Sequence, residues 1–222
     1  MNIQNLQDKL YRYFDERLEI KEALEKFLRK PVPIHATNWM FCFGGLTFLM
    51  FAIQVVTGVL LMVYYVPTPE QAYKSVQFIM RDVNFGWLIR SLHHWAANGM
   101  VLMIGLHMAR VFYMGAYKKP RELNWIVGVI LLFITLGFGF TGYLLPWDQK
   151  AFWATTVASE LANSIPFIGP YLLVIMRGGQ EISGATLTRF YSVHVFILPA
   201  IIVAFLLLHF AIIRRQGISG PL

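Results

Sequence analysis

The chain has 222 residues, 57% of them hydrophobic and 14% charged, and carries a formal net charge of +7. A soluble domain of this length is rarely so apolar, so the composition excludes an ordinary water-soluble fold. The single cysteine, Cys42, excludes an intrachain disulfide and a Cys-x-x-Cys-His attachment motif within the chain.

The first thirty residues hold seven Lys/Arg and six Asp/Glu and no apolar core segment, so no cleavable signal peptide is read there. Ile3, Leu6, Leu10, Tyr13, Phe14 and Leu18 recur at helical spacing, which predicts an amphipathic helix over 1–30 lying on a membrane surface. His35 falls in the linker 31–38, where a loop or interfacial role is its default. Uncharged stretches follow at 38–65, 91–109, 123–147 and 190–213. Each reaches or approaches the roughly 20 residues a transmembrane helix needs, which gives spans over 38–65, 91–114, 123–147 and 190–213. A fifth apolar run, 161–176, is short and broken by Pro166, Gly169 and Pro170. It reads as a surface helix or a turn pair within an outer-side segment, 148–189.

Basic residues set the orientation. The N-terminal arm, the segment 110–122 and the tail after Ile213 hold thirteen Lys/Arg against seven Asp/Glu, and the remaining loops hold six against five. The positive-inside rule therefore places both termini and the Lys118-Lys119-Pro120-Arg121 loop on the cytoplasmic or equivalent side, as four spans require. The basic charge needs no nucleic-acid partner, and no basic–aromatic platform supports one.

Ionisable side chains inside a membrane are costly and mark function by default. Spans two and four each carry two histidines, His93 with His107 and His194 with His209, separated by 14 and 15 residues. At 1.5 Å rise these gaps are roughly 21 to 23 Å, about four turns, which returns the second imidazole to nearly the face of the first. The direction of travel puts His93 and His194 near the outer face and His107 and His209 near the inner. Two bis-histidine sites stacked across the bilayer result, and haem iron is their natural occupant. Spans one and three repeat the register with glycines: Gly44 and Gly128 at the inner level, Gly58 and Gly142 at the outer. A glycine lets a flat macrocycle approach the backbone closely. Helix packing alone explains a single such glycine, but four in register favour clearance for haem. His94 cannot share the face of His93. Arg90 at the outer level, and Arg110, Arg214 and Arg215 at the inner, are candidate partners for haem propionates, with membrane-end anchoring as the alternative. By its apolar setting alone, Cys42 reads as an inert buried thiol.

Five stretches carry a family resemblance: Cys42-Phe43-Gly44-Gly45; Lys118-Lys119-Pro120-Arg121-Glu122-Leu123; Thr141-Gly142-Tyr143-Leu144-Leu145-Pro146-Trp147-Asp148; Thr186-Leu187-Thr188-Arg189-Phe190; and Gln216-Gly217-Ile218-Ser219-Gly220-Pro221-Leu222. On these the chain resembles the cytochrome b6 family, the short cytochrome b of b6f-type complexes and of Gram-positive quinol–cytochrome c reductases. The resemblance implies an all-α membrane protein, a four-helix di-haem bundle in one domain over 1–222. It implies a subunit of a quinol-oxidising, proton-translocating complex that is not active alone. The four histidines would ligate two b haems, and Cys42 would hold a c-type haem by a single thioether at the inner quinone site, beside Arg214.

The implied partners are a Rieske iron–sulfur protein, a three-helix subunit carrying a Pro-Glu-Trp-Tyr motif absent from this chain, a cytochrome c-type subunit, quinone, membrane lipid and a second copy of the complex. Electrons would pass from an outer quinol site around 142–162 through the His93–His194 haem to the His107–His209 haem, and on to quinone near Cys42. His94 stands where plant and cyanobacterial members carry arginine, which leans toward the Gram-positive branch and a bacterial plasma membrane over a thylakoid. The bis-histidine pattern also fits a di-haem subunit of another quinone-linked dehydrogenase, and histidines alone also fit a haem-free relay transporter.

Overall fold

The computed structural model describes residues 3–19, 22, 25, 29 and 33–220. The chain divides into two units, Met1–Asn38 and Trp39–Leu222. In the first, α1 (Ile3–Leu18) forms where the apolar stripe predicts it, with Leu6 and Leu10 exposed along one side. The side chains of Ile3, Phe14, Leu18 and His35, and most of 20–32, lie outside the described residues.

The second unit is helical throughout its described length, apart from turns. Its elements are α2 (Phe43–Met62), α3 (Ala72–Arg81), α4 (Gly86–Tyr113), α5 (Glu122–Leu144), α6 (Gln149–Asn163), α7 (Gly169–Arg177), α8 (Gly184–Ser192), a π-helical turn (Val193–Ile197) and α9 (Leu198–Gln216). Among the described residues three helices are long and apolar enough to cross a membrane: α2, α5 and the continuous 33-residue helix Gly184–Gln216. Within lipid a backbone must satisfy its own polar groups, which is why such sequences become unbroken helices. The remaining expected span, the second in chain order, is α4, which has 28 residues, about 42 Å at 1.5 Å per residue, but is less apolar. Its deficit comes from the residues of interest: Arg90, His93, His94, Asn98, His107 and Arg110.

Boundaries differ from the sequence reading for local reasons. Residues 38–42 lie outside the first long helix, in short 3-10 turns (Ile34–Thr37 and Trp39–Phe41) and the residues around them, so that helix starts at Phe43. The third stops at Leu144, where Pro146 forbids continuation and Trp147 takes a left-handed φ of 52°. Asp148 then caps α6, its carboxylate accepting from the Ala151 amide at 2.8 Å. The apolar run 161–176 holds the end of α6, a turn over 164–168 and nearly all of the short helix α7. Helix α3 was not anticipated, because charged residues flank its narrow buried stripe of Ala72, Ser75 and Ile79.

The long helices form two pairs, α2 against α4 and α5 against α9, which meet each other more sparingly. Their shared apolar core is Met100 and Ile104 of α4, Val127 and Leu131 of α5 and Ile202 of α9. At the outer end the Tyr65 hydroxyl donates to the Leu145 carbonyl at 2.6 Å, joining the end of the first pair to the end of α5. The connecting arm is pinned by Arg177, only 7% exposed, which donates to Ser159 Oγ, the Gln180 carbonyl and Glu160 Oε1. A buried cation needs this full set of partners.

Candidate haem-binding site

Each of the four glycines faces one of the four histidines across a helix pair. A Cβ built on Gly58 would lie 3.3 Å from Cε1 of His93, and one on Gly44 would lie 3.1 Å from Cε1 of His107. The second pair repeats this arrangement: Gly142 meets Cε1 of His194 at 2.7 Å, and Gly128 meets Cε1 of His209 at 3.7 Å. The glycines on α2 and α5 thus leave room for imidazoles on α4 and on the last helix. Any side chain at Gly142 would have to displace the ring.

The two helix pairs bring their outer histidines together, with the ring planes 68° apart. The rings of His93 and His194 have centroids 6.4 Å apart. Two imidazoles on opposite sides of one iron need centres on the order of 6 Å apart, given metal–nitrogen bonds of about 2 Å. His194 sits inside the π-helical turn, where the Leu198 amide donates to the Val193 carbonyl, five residues back. Pro199 explains the turn, since it lacks the amide that would bond Val195 and crowds that carbonyl. The turn also absorbs one residue, so a 15-residue gap in the last helix matches the register of a 14-residue gap in α4.

Two buried threonines complete the outer level. Thr57 Oγ1 lies 2.8 Å from Nδ1 of His93, and Thr141 Oγ1 lies 2.9 Å from Nδ1 of His194. The Gln54 side-chain amide donates to the His93 carbonyl. Sequence reasoning passed over the threonines, although a signal existed: each is the residue before an outer-level glycine, in the repeated dipeptides Thr57-Gly58 and Thr141-Gly142.

At the inner level Arg110 is 9% exposed, with its guanidinium 3.7 Å from the Phe41 ring centre. Its Nε and one terminal nitrogen have no hydrogen-bond partner among the described residues. A buried guanidinium with open donors is suited to an anionic group such as a carboxylate. Arg90 turns elsewhere, placing one terminal nitrogen 3.7 Å from the Met80 sulfur. Arg214 is exposed near the end of α9. Cys42 is exposed, directly before α2 and two residues from Gly44, which corrects the reading of an inert buried thiol. His94 is exposed, its ring edge-on to Trp95 at 5.6 Å, and takes no part in the paired site.

Such an assembly defines an all-helical membrane protein built around histidine pairs, and the comparisons fall in the same class. The family described as cytochrome b/b6/petB matches residues 27–217. Cytochrome b6 of Trichodesmium erythraeum is 52% identical over 96% of this chain and 95% of its own length. Cytochrome b6 of Synechococcus elongatus is 53% identical over 96% and 99%, and that of Chlamydomonas reinhardtii 50% identical over 96% and 99%. A solved chain of a hyperthermophilic respiratory complex III superposes with a TM-score of 0.84 at 34% identity, over 94% of this chain. This chain spans 56% of the length of that one. The chain belongs to the cytochrome b/b6 family, as a haem-bearing core subunit of a bc/b6f-type quinol oxidoreductase.

Proposed function

We propose that the chain carries two b haems, one held by His93 and His194 and the other by His107 and His209, as the transmembrane electron path of its complex. The observation that carries this reading is the fourfold glycine–histidine apposition across two helix pairs. Haem iron ligated by two imidazoles supplies one-electron redox chemistry. The chain's own residues do the rest. The helix pairs set the two levels and hold water out with Met100, Ile104, Val127, Leu131 and Ile202 between them. Arg110 supplies a buried cation suited to a propionate at the inner level, where the exposed Arg214 is a weaker candidate; Arg90, its guanidinium beside the Met80 sulfur, is a weaker candidate at the outer level.

In this reading α4 is the second span in chain order, and both termini lie on the inner side. Quinol is oxidised at the outer end, around Gly142–Trp147 and the start of α6, in a site completed by a Rieske protein and a separate three-helix subunit. A cytochrome c-type subunit takes electrons onward, and the complex is dimeric in the membrane. His94 in place of arginine supports a bacterial plasma membrane. A third, c-type haem is attached to Cys42, an exposed residue at the inner end of α2, by a single thioether. Haem staining of the subunit on a denaturing gel tests this directly. Stain should stay with the wild-type chain and vanish in Cys42→Ala, and an unstained, fully loaded wild-type chain would leave a two-haem protein.

A further inference from the structure

Thr57 and Thr141 hold the outer histidines in one tautomer, and no threonine precedes the inner glycines. Each threonine has one hydroxyl proton. The Thr57 hydroxyl donates to the Ile53 carbonyl at 2.6 Å, with the Gln54 carbonyl at 3.4 Å. The Thr141 hydroxyl donates to the Gly137 carbonyl at 2.8 Å, with the Phe138 carbonyl at 3.3 Å. Carbonyls only accept, so that proton is committed to the backbone, and each Oγ1 accepts from the imidazole beside it. The proton on His93 and on His194 therefore sits at Nδ1, and Nε2 carries the free lone pair. Both threonines are only 5% exposed, so water does not compete for these bonds.

At the inner level Phe43 and Val127 precede Gly44 and Gly128, where a hydroxyl cannot be supplied. His209 instead meets the backbone of Asn124, four residues before Gly128.

We propose that Thr57 and Thr141 are positioning residues that fix the ligating tautomer of the outer histidine pair and lower the reduction potential of the outer haem. The inference rests on the two-haem reading above. An imidazole that donates from Nδ1 is a more basic ligand through Nε2, and a more basic ligand favours ferric over ferrous iron.

The test is an equilibrium redox titration of the purified holoprotein, following the b-haem absorbance bands, for wild type, Thr57→Val, Thr141→Val and Thr57→Ser. Thr135→Val is the control, because Thr135 is equally buried and donates to the Leu131 carbonyl at 2.9 Å without touching a histidine. The outer component is the one that His194→Ala abolishes. Each outer valine variant should weaken ferric relative to ferrous binding by on the order of tenfold, the lower end for loss of a partner behind a metal ligand. That fold-change reads as a rise of about 59 mV for one electron. The inner component, Thr57→Ser and Thr135→Val should stay at the wild-type values.

Loss of the outer haem alone in a valine variant, with retention in Thr57→Ser, also supports the proposal, and Thr→Ala replaces any valine variant that does not accumulate. An unmoved outer potential, or an equal shift in Thr135→Val, overturns it. A wild-type protein with no bis-histidine haem spectrum would instead overturn the two-haem reading itself.

Discussion

His209→Ala is expected to remove one b haem and leave the other at least partly in place. The basis is the separation of the two levels: His209 faces Gly128, while the outer pair faces Gly58 and Gly142 and has its own threonine partners. Truncation at the inner level touches none of those contacts. Low-temperature absorbance of the reduced protein should show loss of one band component and retention of the second. Equal loss of both from a stably folded variant would mean that the two sites form one cooperative unit.

Gly142→Leu should have the opposite selectivity, and a large effect. Its Cβ would fall 2.7 Å from Cε1 of His194, and the rest of the leucine would extend farther into the same space. Because His194 is set in the π-helical turn and bonded to Thr141, moving its ring disturbs both. Overpacking of this kind costs roughly 1–3 kcal/mol even in an apolar core, and here the ring that must yield is a proposed ligand. The variant should lose the outer haem and keep the inner. Gly128→Ala, with its Cβ in ordinary contact at 3.7 Å from His209, should keep both. An outer haem undisturbed in Gly142→Leu would remove the glycine from the account.

Much of this was legible in the sequence, because lipid simplifies the rules. Long uncharged stretches had to be helices, and the four histidines and four glycines share a register in the sequence itself. The structure added what periodicity cannot express. The extra residue between His194 and His209 needed the π-helical turn beside Pro199 to bring the rings into line. The long helix α4 escapes a test of length and apolarity because its ligand residues are themselves polar. Helix α3 was hidden because its buried stripe is only Ala72, Ser75 and Ile79.

The threonines show a different gap. Ser and Thr in transmembrane helices usually bond back to their own turn, so Thr57 and Thr141 carry no distinguishing mark beyond their repeat before glycine. Only the distance to an imidazole on another helix separates them from Thr135, which makes the same backbone bond and nothing more. Arg110 was among the predicted arginines, and it alone proved both buried and open to an anion; sequence placed Arg90 equally well, yet its side chain runs to Met80. Side-chain direction at the ends of helices is set by neighbours that spacing does not reveal.

The most direct test of the whole account is the haem count of the purified chain in its complex, taken by pyridine haemochrome analysis after acid–acetone extraction. The account predicts two extractable b haems for each copy of this chain. A count of one, or of none in an intact and active complex, would contradict the two stacked histidine sites on which everything else here depends.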